Sequence, residues 1–130
     1  MEKIEIQESY EDYLKAIYHI AKCNRGGWVS NSEIANLLNV RPSSVSSMLH
    51  KLKKKGLIYW KPRKSLRLSK EGKKIAQNMI KRYNLLKDFF FNILDIKDER
   101  LIKDLSCQIE HHITPEVSEA LQDLNLKMST

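Results

Sequence analysis

Cys107, Glu110 and His111 stand at i, i+3 and i+4 in the last third of the chain. On a helix that spacing puts a thiol, a carboxylate and an imidazole on one side. Sulfur, oxygen and nitrogen donors converging there suit a divalent transition ion. The same three residues lie away from the apolar stripe of Leu101, Ile102, Leu105 and Ile109, and a polar face on a surface helix usually means only solvent, so spacing alone favours a plain solvated face over a metal site. His112 falls close to that stripe and reads as a packed or interface histidine. Cys107 beside His111 superficially offers a nucleophile and a base. However, no glycine-rich phosphate loop or oxyanion donor accompanies them, which argues against an enzyme.

A second constellation runs from Arg41 through Ser43, Ser44, Ser46, Ser47 and His50 to Lys51, Lys53, Lys54 and Lys55. Small hydroxyls near a helix start let the backbone approach a polyanion and donate to phosphates or base edges. Arg41 is equipped for bidentate contact with guanine or phosphate. Arg63 and Lys64, in a basic turn, would meet an adjacent stretch of nucleic-acid backbone. His19 and His50 read as surface or DNA-facing groups rather than ligands.

The charge map supports that reading. The net charge of +7 hides an uneven distribution: residues 1–40 carry a net −2, residues 41–82 a net +13, and residues 83–130 a net −4. Such a field draws a polyanion to one region rather than to the whole surface. With 130 residues, 42% hydrophobic and 30% charged, the composition is that of a soluble globular protein. The two cysteines are far apart and imply no disulfide framework, so a reducing cytoplasm is expected. The first residues lack the basic start and apolar run of a signal peptide, and no apolar stretch is long enough to span a bilayer.

These side chains need elements to hold them. Tyr13, Leu14, Ile17, Ile20 and Ala21 recur at helical spacing and predict a helix over about residues 8–23, closed by Asn24-Arg25-Gly26-Gly27. Ser30 and Glu33 form a capping box for a second helix whose buried side is Ile34, Ala35, Leu37 and Leu38. After the turn at Asn39-Val40, Pro42 opens a third helix with Val45, Met48, Leu49 and Leu52 inward, and Gly56 ends it. Leu57–Trp60, the basic turn 61–65 and Leu66–Leu68 predict a hairpin. Ser69 caps a long helix over about residues 70–94, whose stripe of Ile75, Met79, Ile80, Tyr83, Leu86, Phe90 and Ile93 is widened by Leu85, Phe89 and Phe91. A fifth helix is predicted over about residues 98–113. Thr114-Pro115 starts a last one carrying Val117, Ala120, Leu121 and Leu124. Two short helices, a tight turn and then a hairpin are the order of a winged helix-turn-helix, whose second helix enters the major groove of a duplex. The expected fold is mainly α, with a winged helix-turn-helix over residues 1–70 and a helical metal-binding and dimerisation domain over residues 71–130.

Glu11-Asp12-Tyr13-Leu14, Val40-Arg41-Pro42-Ser43-Ser44-Val45-Ser46, Leu66-Arg67-Leu68-Ser69-Lys70-Glu71-Gly72 and Glu110-His111-His112 occur in that order. This series resembles the metal-dependent repressors of the diphtheria-toxin-repressor and manganese-transport-regulator family, over about residues 8–125. The chain is too short for the SH3-like third domain of the iron-responsive branch and looks like the two-domain form. The resemblance implies a cytoplasmic homodimer that represses transcription on double-stranded operator DNA. It also implies a bound Fe(II) or Mn(II), with Asp12 joining Cys107, Glu110 and His111 as ligands. Lys15, Tyr83 and Cys107 replace ligands of the two-ion manganese form. Tyr83, Lys87 and Lys103 stand at the ancillary site of the iron-responsive form. The expectation is therefore one ion per subunit, with Lys15, Lys87 and Lys103 as fixed charges in place of a second. The alternative is a DNA-binding regulator of the same fold that works without metal.

Overall fold

The computed structural model describes residues 2–129, with the backbone alone for residues 2–8. The chain divides into two compact units, residues 1–77 and 78–130. The first contains α1 (Glu2–Cys23), α2 (Asn31–Leu38), α3 (Pro42–Lys54), β1 (Ile58–Trp60), β2 (Leu66–Leu68) and the start of α4 (Lys70–Asp88). The second contains the rest of α4, then α5 (Glu99–Ile109) and α6 (Pro115–Met128). The architecture is mainly α, an N-terminal winged helix-turn-helix followed by a helical region. No described helix is long and apolar enough to cross a membrane.

The first unit is organised around one apolar cluster. Leu14 and Ile17 of α1, Ile34 of α2, and Val45, Leu49 and Leu52 of α3 are all at most 1% exposed. Ile58, Trp60 and Leu66 close the cluster from the hairpin. Fully burying such a side chain contributes about 1.5–3 kcal/mol, so these contacts fix how α3 and the hairpin are presented. Leu37 departs from expectation: it is 55% exposed. At 3.6 residues per turn Leu37 falls on the flank of the helix, off the side shared by Ile34, Ala35 and Leu38, and the chain leaves α2 through Asn39 in a left-handed conformation (φ 55°).

The helix ends follow their sequence signals. Ser30 Oγ accepts from the Glu33 N–H at 3.2 Å, while Glu33 Oε1 accepts from the Ser30 N–H at 3.1 Å. Gly56 adopts φ +76° after α3, a conformation that costs glycine little. Ser69 Oγ donates to the Gly56 carbonyl at 2.7 Å and accepts from the Gly72 N–H at 3.1 Å. A Cβ on Gly72 would collide with the Leu57 carbonyl oxygen, so only glycine lets α4 start this close to the hairpin.

β1 and β2 pair antiparallel, with Tyr59 opposite Arg67. Val29 bridges to Leu66 on the free edge of β2, through N···O distances of 2.9 and 2.8 Å. A single paired residue leaves no alternating pattern in the sequence, so this third chain segment is visible only in the structure.

In the second unit α4 ends in a π-helical turn, Phe89–Ile93, rather than continuing as α-helix to residue 94. α5 ends at Ile109, and Glu110–His112 form a 3-10 turn, so the fifth helix is shorter than expected. Its inner line also differs. Ile102, Ser106 and Glu110 are buried at 4%, 0% and 0%, whereas Leu101 is 44% exposed. On α6, Ser118 is buried while Val117 and Leu124 are 44% and 38% exposed. Asn125 Nδ2 donates to the Leu85 carbonyl at 3.2 Å and ties α6 to α4.

Candidate nucleic-acid interface and metal-ligand residues

α3 presents one exposed edge. Ser43, Ser44, Ser47, His50 and Lys51 repeat at three- and four-residue intervals and are all exposed, opposite the buried Val45, Leu49 and Leu52. Arg41 is the exposed N-cap residue, with Pro42 immediately after it at the first helical position. The first turn therefore offers hydroxyls and a guanidinium together, while the Ser44 and Val45 N–H groups donate to the Arg41 carbonyl at 3.0 and 3.1 Å. Ser46 differs from its neighbours. It is only half-exposed, and its Oγ accepts from Asn31 Nδ2 at 2.9 Å. Asn31 also donates to the Pro42 carbonyl at 3.3 Å, so Ser46 helps lock α2 to α3. His50 lies edge-on to Trp60, with ring centroids 4.8 Å apart, which braces the C-terminal half of α3 against β1.

The hairpin turn brings the wing cations close. The Lys64 N–H bonds to the Lys61 carbonyl at 3.0 Å, with Pro62 second in the turn and Arg63 third at φ +65°. Proline followed by a positive φ is the type II pattern, which favours glycine or asparagine at the third position. Arg63 and Lys64 are exposed, and they line one cleft of about 440 Å³ with Ser30, Asn31, Ser32 and Ser46. The wing tip thus opens onto the helix-turn-helix.

The four expected metal ligands are distributed as follows. Asp12 is on α1. Cys107 is exposed on α5, in no disulfide. Glu110 and His111 fall in the 3-10 turn that follows, with side chains 0% and 5% exposed and Glu110 Oε1 3.9 Å from His111 Nε2. A buried carboxylate is costly unless cations or donors meet it. A carboxylate and an imidazole this close, both sequestered, are donors of the kind a divalent ion takes. Ser106, one turn before Glu110, is fully buried with no hydrogen-bond partner for its Oγ. Spacing could not reveal any of this, because Glu110 looks solvated until α5 is seen to bury its 102–106–110 line. Near the expected second site, Lys87 Nζ sits 5.0 Å from the centre of the Tyr83 ring.

Residues 5–66 match the family described as "Iron dependent repressor, N-terminal DNA binding domain", and residues 69–130 match "Iron dependent repressor, metal binding and dimerisation domain". The chain is 36% identical over 116 residues to the HTH-type transcriptional regulator MntR of Shouchella clausii, covering 89% of this chain and 78% of that protein. It is 31% identical over 117 residues to the HTH-type transcriptional regulator MJ0568 of Methanocaldococcus jannaschii, covering 90% and 92%. Among solved structures, a manganese-dependent transcriptional repressor in complex with manganese superposes with a TM-score of 0.76 at 26% identity. That match covers 89% of this chain, which spans about half (52%) of the solved one. These relatives are transcriptional regulators, not enzymes. The chain belongs to the iron-dependent repressor family, the group that includes the diphtheria toxin repressor and the manganese transport regulator.

Proposed function

We propose that this chain is a metal-ion-responsive transcriptional repressor that binds double-stranded operator DNA as a homodimer. In this reading residues 1–70 form the DNA-binding domain and residues 71–130 the metal-binding and dimerisation domain. α3 enters the major groove, led by Arg41, Ser43, Ser44 and Ser47, with Ser46 fixing its angle. His50 and Lys51 lie further along the groove, and Arg63 and Lys64 meet the flanking backbone. The observation that carries the reading is the exposed serine and cation edge of α3 beside a wing tip that opens onto the same helix pair.

The proposed ligand set is Asp12, Cys107, Glu110 and His111, taking one Fe(II) or Mn(II) per subunit. A bound divalent ion supplies positive charge to the carboxylates and favours whichever arrangement of the dimer it binds more tightly. Glu110 contributes a desolvated oxygen donor and His111 a nitrogen donor, and both side chains are withheld from water. A manganese complex of a similar repressor supports the class of ion. The decisive experiment is an electrophoretic mobility shift on the chain's own upstream DNA, with Fe(II) and Mn(II) titrated anaerobically against a chelator. Metal-dependent retardation is expected. A second reading keeps the DNA-binding dimer and drops the metal switch, on the ground that Lys87 places a fixed cation beside Tyr83. Equal affinity with and without chelator would select it.

A further inference from the structure

The outer face of the wing carries side chains that duplex recognition leaves unused. Because Val29 pairs with Leu66 and Tyr59 with Arg67, Trp28, Arg67 and Tyr59 fall in one row across the solvent side of the ribbon. Their neighbours Val29, Leu66, Ile58 and Trp60 point inward and are buried, as strand alternation requires. Trp28 is 47% and Tyr59 66% exposed. Arg67 stands between them in register, with its guanidinium carbon 5.1 Å from the centre of the Trp28 ring. Trp28 and Tyr59 line a groove of about 980 Å³ together with Lys53, Lys61 and Lys64. No acidic residue occurs between Glu33 and Glu71, so the sequence around this groove offers a polyanion no repulsion.

Single exposed aromatics are ordinary on a protein surface. Two of them in line on a sheet face, with a guanidinium between and ammonium groups around, form a stacking platform inside an electrostatic funnel. A duplex cannot use such a platform, because its base faces are occupied by neighbouring bases. An acidic peptide would engage the lysines and leave the rings without a task. Lys64 lines both this groove and the cleft facing α2 and α3, so the surface is continuous with the duplex-facing one.

We propose that the Trp28–Arg67–Tyr59 face binds single-stranded DNA, with unpaired bases stacked on Trp28 and Tyr59 and the phosphates held by Lys53, Lys61 and Lys64. The test is fluorescence anisotropy of the full chain with a labelled oligothymidylate of about 12 nucleotides, in parallel with the upstream duplex. Trp28→Ala and Tyr59→Ala should each weaken the single strand roughly tenfold, the scale of one stacked base. Tyr59→Phe should retain binding, and duplex affinity should stay within about twofold for all three. The proposal is overturned if wild type does not bind the oligothymidylate, or if the alanine variants bind it unchanged. An equal loss on the duplex would assign the row to operator contact and overturn it too. Tighter binding of an oligouridylate, or displacement by polyglutamate at equal charge, would give the groove to RNA or to an acidic peptide. Loss of single-strand binding with the duplex intact leaves the repressor reading untouched, and Arg41→Ala should show the reverse pattern.

Discussion

Arg63 sits where the backbone prefers glycine. Its φ of +65°, behind Pro62, is a left-handed conformation that costs a side-chain-bearing residue about 1 kcal/mol or more. The cost is carried at the wing tip, where a guanidinium would meet phosphate. Arg63→Gly should therefore separate fold from function. Its thermal midpoint should hold or rise slightly, while duplex affinity falls and the slope of log K against log salt shrinks by about two, one phosphate contact for each subunit of the dimer. A thermal midpoint that dropped with affinity would mean that Arg63 is structural. Glu110 poses the corresponding test for the metal. Its side chain is fully buried, so Glu110→Gln keeps the volume and removes the charge. Calorimetry under anaerobic conditions should show one Mn(II) per subunit for wild type, with binding weakened at least tenfold in this variant and in Cys107→Ala. Two tight ions per subunit would contradict the single-ion reading, and unchanged affinity in Cys107→Ala would count against the ligand set.

At the scale of elements, legibility followed the range of the interaction. Caps and turns are local, so Ser30 with Glu33, Pro42, Gly56 and Ser69 could be placed from neighbouring residues alone. The inner face of α5 could not. Leu101 reads as core and Glu110 as solvent on hydropathy, yet the structure buries Ser106 and Glu110 and exposes Leu101, because that choice depends on packing distant in sequence. The bond that Ser46 accepts from Asn31 is out of reach of local reading for the same reason, since Asn31 lies fifteen residues away. The capping box carries its own pH signature. The Asn24 amide, donating to Glu33 Oε2 at 2.8 Å, holds the Glu33 carboxyl below its ordinary value, and the Ser30 backbone and hydroxyl add to this. A depressed folded value means that the stabilisation is complete above the unfolded value and is lost as pH falls through the folded one. Acid unfolding of Glu33→Gln should accordingly show a shallower pH dependence than wild type across that range. Ser30→Ala should cost about 1 kcal/mol at neutral pH by chemical denaturation.

For the whole molecule, the governing quantity is where charge sits. The +13 of residues 41–82 falls on α3, the wing and the start of α4, while residues 83–130 carry −4. The acidic stretch would repel a duplex, so attraction is confined to one surface and orientation comes before contact. If about four cations per subunit neutralise phosphates (Arg41, Lys51, Arg63 and Lys64), a dimer releases about eight counterions and log K should fall with log salt at a slope near −7. Metal should act on a different term. Adding Mn(II) should raise affinity at every salt concentration and leave that slope unchanged, because the ion alters which dimer arrangement is populated and not how many phosphates are met. Parallel lines with and without Mn(II) are therefore expected in a salt series of mobility shifts. Lines that converge at high salt would mean that the metal works by adding charge to the DNA-facing surface, and the conformational account would have to be abandoned.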